Sequence, residues 1–120
     1  MTHTSLDPAL DADAHAQIAT QVLQVHLDSY GTGAGNVVVH ILDDVVVVVI
    51  DQLELAPSEK TLIEGGHTES VANMRASFQQ AIEPTFTAIV ERATGRRVTS
   101  FLSNTSIPSL YSVEIFRLAH

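Results

Sequence analysis

The sequence predicts an α+β fold, and three features carry the prediction. The segment Val37-Val38-Val39-His40-Ile41-Leu42-Asp43-Asp44-Val45-Val46-Val47-Val48-Val49-Ile50 sets two largely β-branched runs on either side of an Asp-Asp pair. β-branched side chains are stiff at χ1 and suit a pleated surface, and Asp tolerates the positive φ of a tight hairpin turn. Stretches of helical periodicity come before and after this hairpin, and two further strand-like runs close the chain. The order is αββααββ, which gives a four-stranded, mainly antiparallel sheet with the two main helices on one face.

The elements follow from local chemistry. Residues 1 to 12 read as a flexible N-terminus and residues 13 to 118 as a single domain, as a length of 120 suggests. Asp11 or Asp13 can cap a first helix. Its stripe is Ile18, Val22, Leu23, Val25, Leu27 and Tyr30, and it ends in Gly31-Thr32-Gly33-Ala34-Gly35, read as a flexible helix cap. After the hairpin, Leu53 to Glu59 changes direction, and Ser58 with Thr61 can cap a short helical turn closed by Gly65-Gly66. A long helix is expected from about Thr68 to Thr94, capped by Thr68 or Ser70 and stopped by Gly95. Its stripe is Val71, Met74, Phe78, Ile82, Phe86, Ile89 and Ala93, with Pro84 expected to kink it. Arg97 to Ser103 and Leu110 to Leu118 are the last two strands, joined by a turn from Asn104 to Ser109. Thr99, Ser100, Ser103, Ser112 and Glu114 make these read as the more solvated strands.

The hairpin's pairing has a consequence. With Asp43 and Asp44 as the turn, Leu42 faces Val45, His40 faces Val47 and Val38 faces Val49. The opposite side carries Val37, Val39, Ile41, Val46, Val48 and Ile50. Both faces are apolar, whereas a half-solvated hairpin alternates polar with apolar. One face packs on the helices, and the second needs a partner that the chain does not supply. Pairing two copies by two-fold symmetry is the commonest solution, so a homodimer through a face containing Val38, His40, Val47 and Val49 is expected.

Composition excludes several classes. A net charge of −8 disfavours nucleic acid as a partner. The longest apolar run, Val45 to Ile50, is far short of the ~20 residues of a spanning helix. The N-terminus lacks the features of a signal peptide, and with no cysteine there is no thiolate or disulfide chemistry. A cytoplasmic location is the default.

Individual motifs carry little chemistry. The glycines at 31, 33 and 35 follow a helix and precede a strand, the reverse of a dinucleotide fingerprint. None of the six histidines stands in a zinc-site pattern, and no Gly-x-Ser-x-Gly elbow occurs. His40, the one polar side chain in the Val strands, is either a packed hydrogen-bond donor or a buried acid–base group. No catalytic, cofactor or metal residue is expected. Five of six basic residues lie after position 74, which makes Arg75, Arg96 and Arg97 candidates for an anion or partner contact. Arg75 alternatively bridges an acid such as Glu54 or Asp51, and Arg96-Arg97 complements the dipole of the helix ending at Gly95.

Read in order, several pieces carry a resemblance. These are Tyr30-Gly31-Thr32-Gly33, the apolar hairpin, Leu55-Ala56-Pro57-Ser58-Glu59, Arg75-Ala76-Ser77-Phe78, Thr94-Gly95-Arg96-Arg97-Val98 and Val113-Glu114-Ile115-Phe116-Arg117-Leu118. Over roughly residues 13 to 118 the chain resembles the small MpsC-like family, with Tyr30, Gly31, Gly33, Arg75, Phe78, Thr94, Gly95 and Ser103 matching its pattern. Many members would carry an acid after Ser103, where this chain has Asn104. The resemblance implies a non-enzymatic, bacterial, cytoplasmic accessory or regulatory protein. It would serve a Na⁺-translocating, membrane-potential-generating system linked to bicarbonate uptake, with membrane transporter subunits as partners and no cofactor. The alternative is a small-molecule or anion sensor.

Overall fold

The computed structural model describes residues 8 to 120. Seven elements occur in the expected order: α1 (Pro8–Tyr30), β1 (Ala34–Leu42), β2 (Val45–Leu53), α2 (Pro57–Glu64), α3 (Thr68–Thr94), β3 (Val98–Ser106) and β4 (Tyr111–Leu118). The fold is α+β, with one antiparallel sheet of order β1-β2-β4-β3. The two hairpins therefore join through β2 and β4, leaving β1 and β3 at the edges. α1 packs over β1, α3 packs over β3, and the two helices pack against each other.

The first hairpin has the expected register, with Leu42 opposite Val45, His40 opposite Val47 and Val38 opposite Val49. Asp43 takes the left-handed conformation of the turn at φ +44°. Val39, Val46, Val48 and Ile50 are buried on the helix side, where they form the core with Ile18, Val22, Phe86, Ile89, Val90, Phe116 and Leu118.

Boundaries differ where local signals compete. α1 begins at Pro8, so Asp11 and Asp13 lie within it rather than capping it; residues 1 to 7 of the expected flexible N-terminus lie outside the described residues. Gly31 ends α1 as expected, at φ +72° with its N–H on the Leu27 carbonyl. Gly33 and Gly35 have a different task from helix capping. They keep β1 clear of the Glu54 and Gln52 side chains respectively. At α2, Glu59 accepts the Ala56 N–H at 2.8 Å, the reciprocal half of a capping box, and Ser58 lies exposed inside the helix. His67, not Thr68 or Ser70, stands at the N-cap of α3. α3 runs without a break through Pro84 and stops at Gly95, φ +70°. β3 continues to Ser106, so the turn begins later than expected.

The larger correction concerns solvation. β4 is a central strand, and Ser112 and Glu114 are buried beneath the helices together with Phe116 and Leu118. On α3 the inward positions belong to Val71, Arg75, Gln79, Phe86 and Ile89, whereas Met74 and Phe78 of the expected stripe are exposed. On α1 the inward positions are Ala14, Ile18, Val22 and His26, and Leu27 is exposed.

Candidate functional site

Polar residues occupy the inward positions at one end of the helix–sheet layer. His26 and Tyr30 come from the last turns of α1, Glu59 from α2, Arg75 and Gln79 from α3, Ser112 and Glu114 from β4, and Ser103 and Thr105 from the facing part of β3. Each lands there because the helical period of about four and the strand period of two continue from the apolar core into this end.

Arg75, 1% exposed, is the hub of one half. Its Nε donates to Glu59 Oε2 at 2.7 Å, and its Nη2 donates to Glu59 Oε1 at 2.8 Å and to the Glu54 carbonyl at 3.2 Å. The guanidinium lies 4.5 Å from the centroid of the Tyr30 ring. Tyr30 donates to the Arg75 carbonyl at 3.2 Å, and its ring meets those of His26 and Phe78. The hydrogen bonds from Arg75 hold the Glu59 carboxyl below its ordinary range against its burial. Burial pushes the Tyr30 hydroxyl up to about 12. His26 is fully enclosed, and neither ring nitrogen has a hydrogen-bond partner. Desolvation, reinforced by the Arg75 charge, lowers its pKa to about 4, so it is neutral at pH 7.

Glu114 is the centre of the other half. It is fully buried, and Ser112 Oγ donates to its Oε1 at 2.9 Å. The Thr105 hydroxyl lies 3.0 Å from Ser112 Oγ and extends this chain. Oε2 has no partner. Burial raises the carboxyl to about 7, and the Ser112 hydrogen bond tempers the rise. Ser103 is the cross-strand neighbour of Glu114, but its Oγ lies outside hydrogen-bonding geometry. Between α3 and β3 a cleft of about 440 Å³ opens, with Asn73, Gln79, Gln80, Glu83, Ser103 and Asn104 among its walls. Among the described residues no group of three or more His, Asp or Glu side chains is arranged to hold a metal.

The three arginines that were candidates for an anion or partner contact do not stand together. Arg75 is enclosed by Glu59 in place of Glu54 or Asp51, because α2 lays Glu59 directly against α3. Arg96 stands about 30 Å further along the helix axis. It donates to the Asp43 carbonyl, to Asp44 Oδ1 and twice to the Ala119 carbonyl. Arg97 is exposed beside it. The Asp43-Asp44 pair is thus a turn clasped by Arg96.

The expected dimer-face residues do fall together. Val38, His40, Val47 and Val49 share the sheet face that no helix covers, and His40 is exposed rather than buried. β3 and β4 extend this face: His40, Val47, Ile115 and Leu102 form one row across all four strands. Leu102 is 66% and Leu42 61% exposed.

A family model described as Na⁺-translocating membrane potential-generating system (MpsC) matches residues 12–120. The chain belongs to the MpsC family. Comparison with curated proteins and with solved structures found no match. Of the positions expected to match the family pattern, Tyr30 and Arg75 stand together in the buried polar end, and Phe78 closes on the Tyr30 ring from outside. Gly31 and Gly95 are the two helix stops. No helix among the described residues of this MpsC-family chain is long and apolar enough to cross a membrane.

Sequence reasoning missed His26, Glu59, Gln79 and Glu114. The signal was present in their spacing. Ala14, Ile18, Val22 and His26 are four apart, as are Val71, Arg75 and Gln79, and Ser112, Glu114, Phe116 and Leu118 alternate. Polarity concealed them, since charged residues are almost never fully buried unless paired.

Proposed function

We propose that this MpsC-family chain is a non-enzymatic accessory or regulatory component of a bacterial Na⁺-translocating, membrane-potential-generating system linked to bicarbonate uptake. It acts from the cytoplasm by association, as a homodimer that docks on membrane transporter subunits. The observation that carries this reading is the uncovered sheet face. Four strands place Val38, Val47, Val49, Val113, Ile115 and Leu102 on a side with no helix, and apolar area of this extent marks an interaction surface. Two-fold pairing satisfies it with one residue set on both copies. Family membership supports a role in the membrane system.

Light scattering at micromolar concentration tests the association. Twice the 12.9 kDa chain mass is expected, and Val47→Asp should return the protein to monomer, because a lone charge buried at an interface costs several kcal/mol. A monodisperse monomer of the unmutated chain would overturn the dimer. Capture of transporter subunits from a bacterial membrane extract by the unmutated chain, lost in a sheet-face variant, tests the second contact.

A further inference from the structure

Three oxygen atoms on facing elements are buried without any hydrogen-bond partner: Glu114 Oε2, Gln79 Oε1 and Ser103 Oγ. They belong to one place. Ser103 and Glu114 are directly opposed across the β3–β4 ladder and point to the helix side of the sheet. Gln79 and Ser103 line the inner wall of the same cleft between α3 and β3. Gln79 and Glu114 both act on the Tyr30 hydroxyl.

Buried oxygens of this kind need a donor or a cation, and a buried charge is normally paired or bound to a metal. The neighbouring charges are already used. Arg75 and Glu59 neutralise each other through two hydrogen bonds, and His26 is held neutral by its burial. No basic residue lines the cleft, and Glu83 is its one acid. An anion is therefore disfavoured there. One carboxylate with neutral amide and hydroxyl oxygens is a hard donor set with a single negative charge. A transition metal or Ca²⁺ would want nitrogen, sulfur or more carboxylates.

We propose that Glu114, Gln79 and Ser103 form a binding site for an alkali-metal ion at the inner wall of the α3–β3 cleft. Thr105, two residues on and facing the same side of β3, lines the cleft as well. The site lies on the opposite side of the sheet from the dimer face, and so is independent of the association proposed above.

The test is thermal unfolding of the full chain at pH 8 in NaCl, KCl or N-methylglucamine chloride at one chloride concentration. A saturable rise in Tm of several degrees in Na⁺ or K⁺ over N-methylglucamine is expected, since a ligand of the native state alone stabilises it by mass action. Glu114→Gln should abolish the difference between salts. Ser103→Ala, which removes one neutral oxygen at a half-buried position, should move the midpoint of the rise to roughly tenfold higher salt, the factor that 1.4 kcal/mol represents. Val47→Asp, on the far face, should leave the rise intact. Equal Tm in all three salts would overturn the site. So would an undiminished rise in Ser103→Ala, which decides the matter if Glu114→Gln fails to fold.

Discussion

The Arg75 guanidinium grips the Glu59 carboxylate by two hydrogen bonds of 2.7 and 2.8 Å in a region where both residues are at most 3% exposed. Neither partner was adjacent in the sequence pattern; they lie 16 residues apart on successive helices. The same carboxylate also caps α2 through the Ala56 N–H. One ion pair thus fixes the start of α2, the inward face of α3 and, through the Tyr30 ring, the end of α1.

Breaking this pair should be costly. Arg75→Met leaves Glu59 buried without a counter-charge, and a loss of about 3–5 kcal/mol in urea unfolding is expected. Adding Glu59→Leu to the same chain should recover a large part of it, because two apolar groups replace two desolvated charges. A double variant as unstable as the single one would show that packing, not charge, dominates here.

The two buried titrating groups give the pH profile an unusual shape. His26 has its pKa lowered from 6.5 to about 4. Below 6.5 the unfolded chain takes up a proton that the folded chain refuses, so this group removes stability as pH falls from 6.5 to about 4. Glu114 has its pKa raised from 4.5 to about 7. Above 4.5 the unfolded chain releases a proton that the folded chain keeps, so this group removes stability as pH rises from 4.5 to about 7. Each effect amounts to about 3 kcal/mol over its full range. Between 4.5 and 6.5 the slopes oppose and cancel. A plateau is expected there, with decline above 6.5 and again below 4.5, where Glu59 and Asp44, both depressed by arginine partners, add to the loss. Urea midpoints in N-methylglucamine chloride across pH 4 to 8 measure this. His26→Phe should leave a profile that falls steadily from 4.5 to 7, and Glu114→Gln one that climbs from 4 to 6.5. A single steep slope in the unmutated chain between 4.5 and 6.5 would contradict the assignment.

Gly35 should tolerate no side chain. A Cβ there would lie 2.8 Å from the Gln52 Cβ, and Gln52 is itself held at φ +54°. Gly35→Ala should cost about 1–3 kcal/mol through the clash. Gln52→Gly should be neutral or slightly stabilising, since glycine adopts positive φ without penalty, and should rescue Gly35→Ala in the double variant. Failure of that rescue in thermal melts would place the strain elsewhere.

Arg96 ties the β1–β2 turn to the last residues of the chain. Its loss should show locally. In Arg96→Ala, amide exchange at Leu118 and Ala119, which donate to the Asp44 and Arg97 carbonyls, should accelerate while the core strands remain protected. Because Arg75 and Arg96 are already engaged by protein acceptors, inorganic phosphate and bicarbonate should leave the Tm of the unmutated chain unchanged at constant ionic strength. An anion-dependent rise reversed by Arg97→Gln would restore the sensor reading.

The sequence by itself determined the elements, their order and the two-sidedness of the Val hairpin. These are local properties. Valine runs, an Asp-Asp turn and glycine stops act over a few residues, and the hairpin register follows from its two-residue turn, which is why Leu42 met Val45 and His40 met Val47 as expected. The tertiary structure decided which polar residues went inside. The sheet order β1-β2-β4-β3 moved β4 to the centre and buried Ser112 and Glu114 under the helix layer. α2 supplied the partner that lets Arg75 occupy a core position, and in the first half of α3 the inward positions moved by one residue, from Met74 and Phe78 to Arg75 and Gln79. Burial of a charged side chain depends on a counter-charge or oxygen donor brought from a distant segment, and no local pattern contains that information.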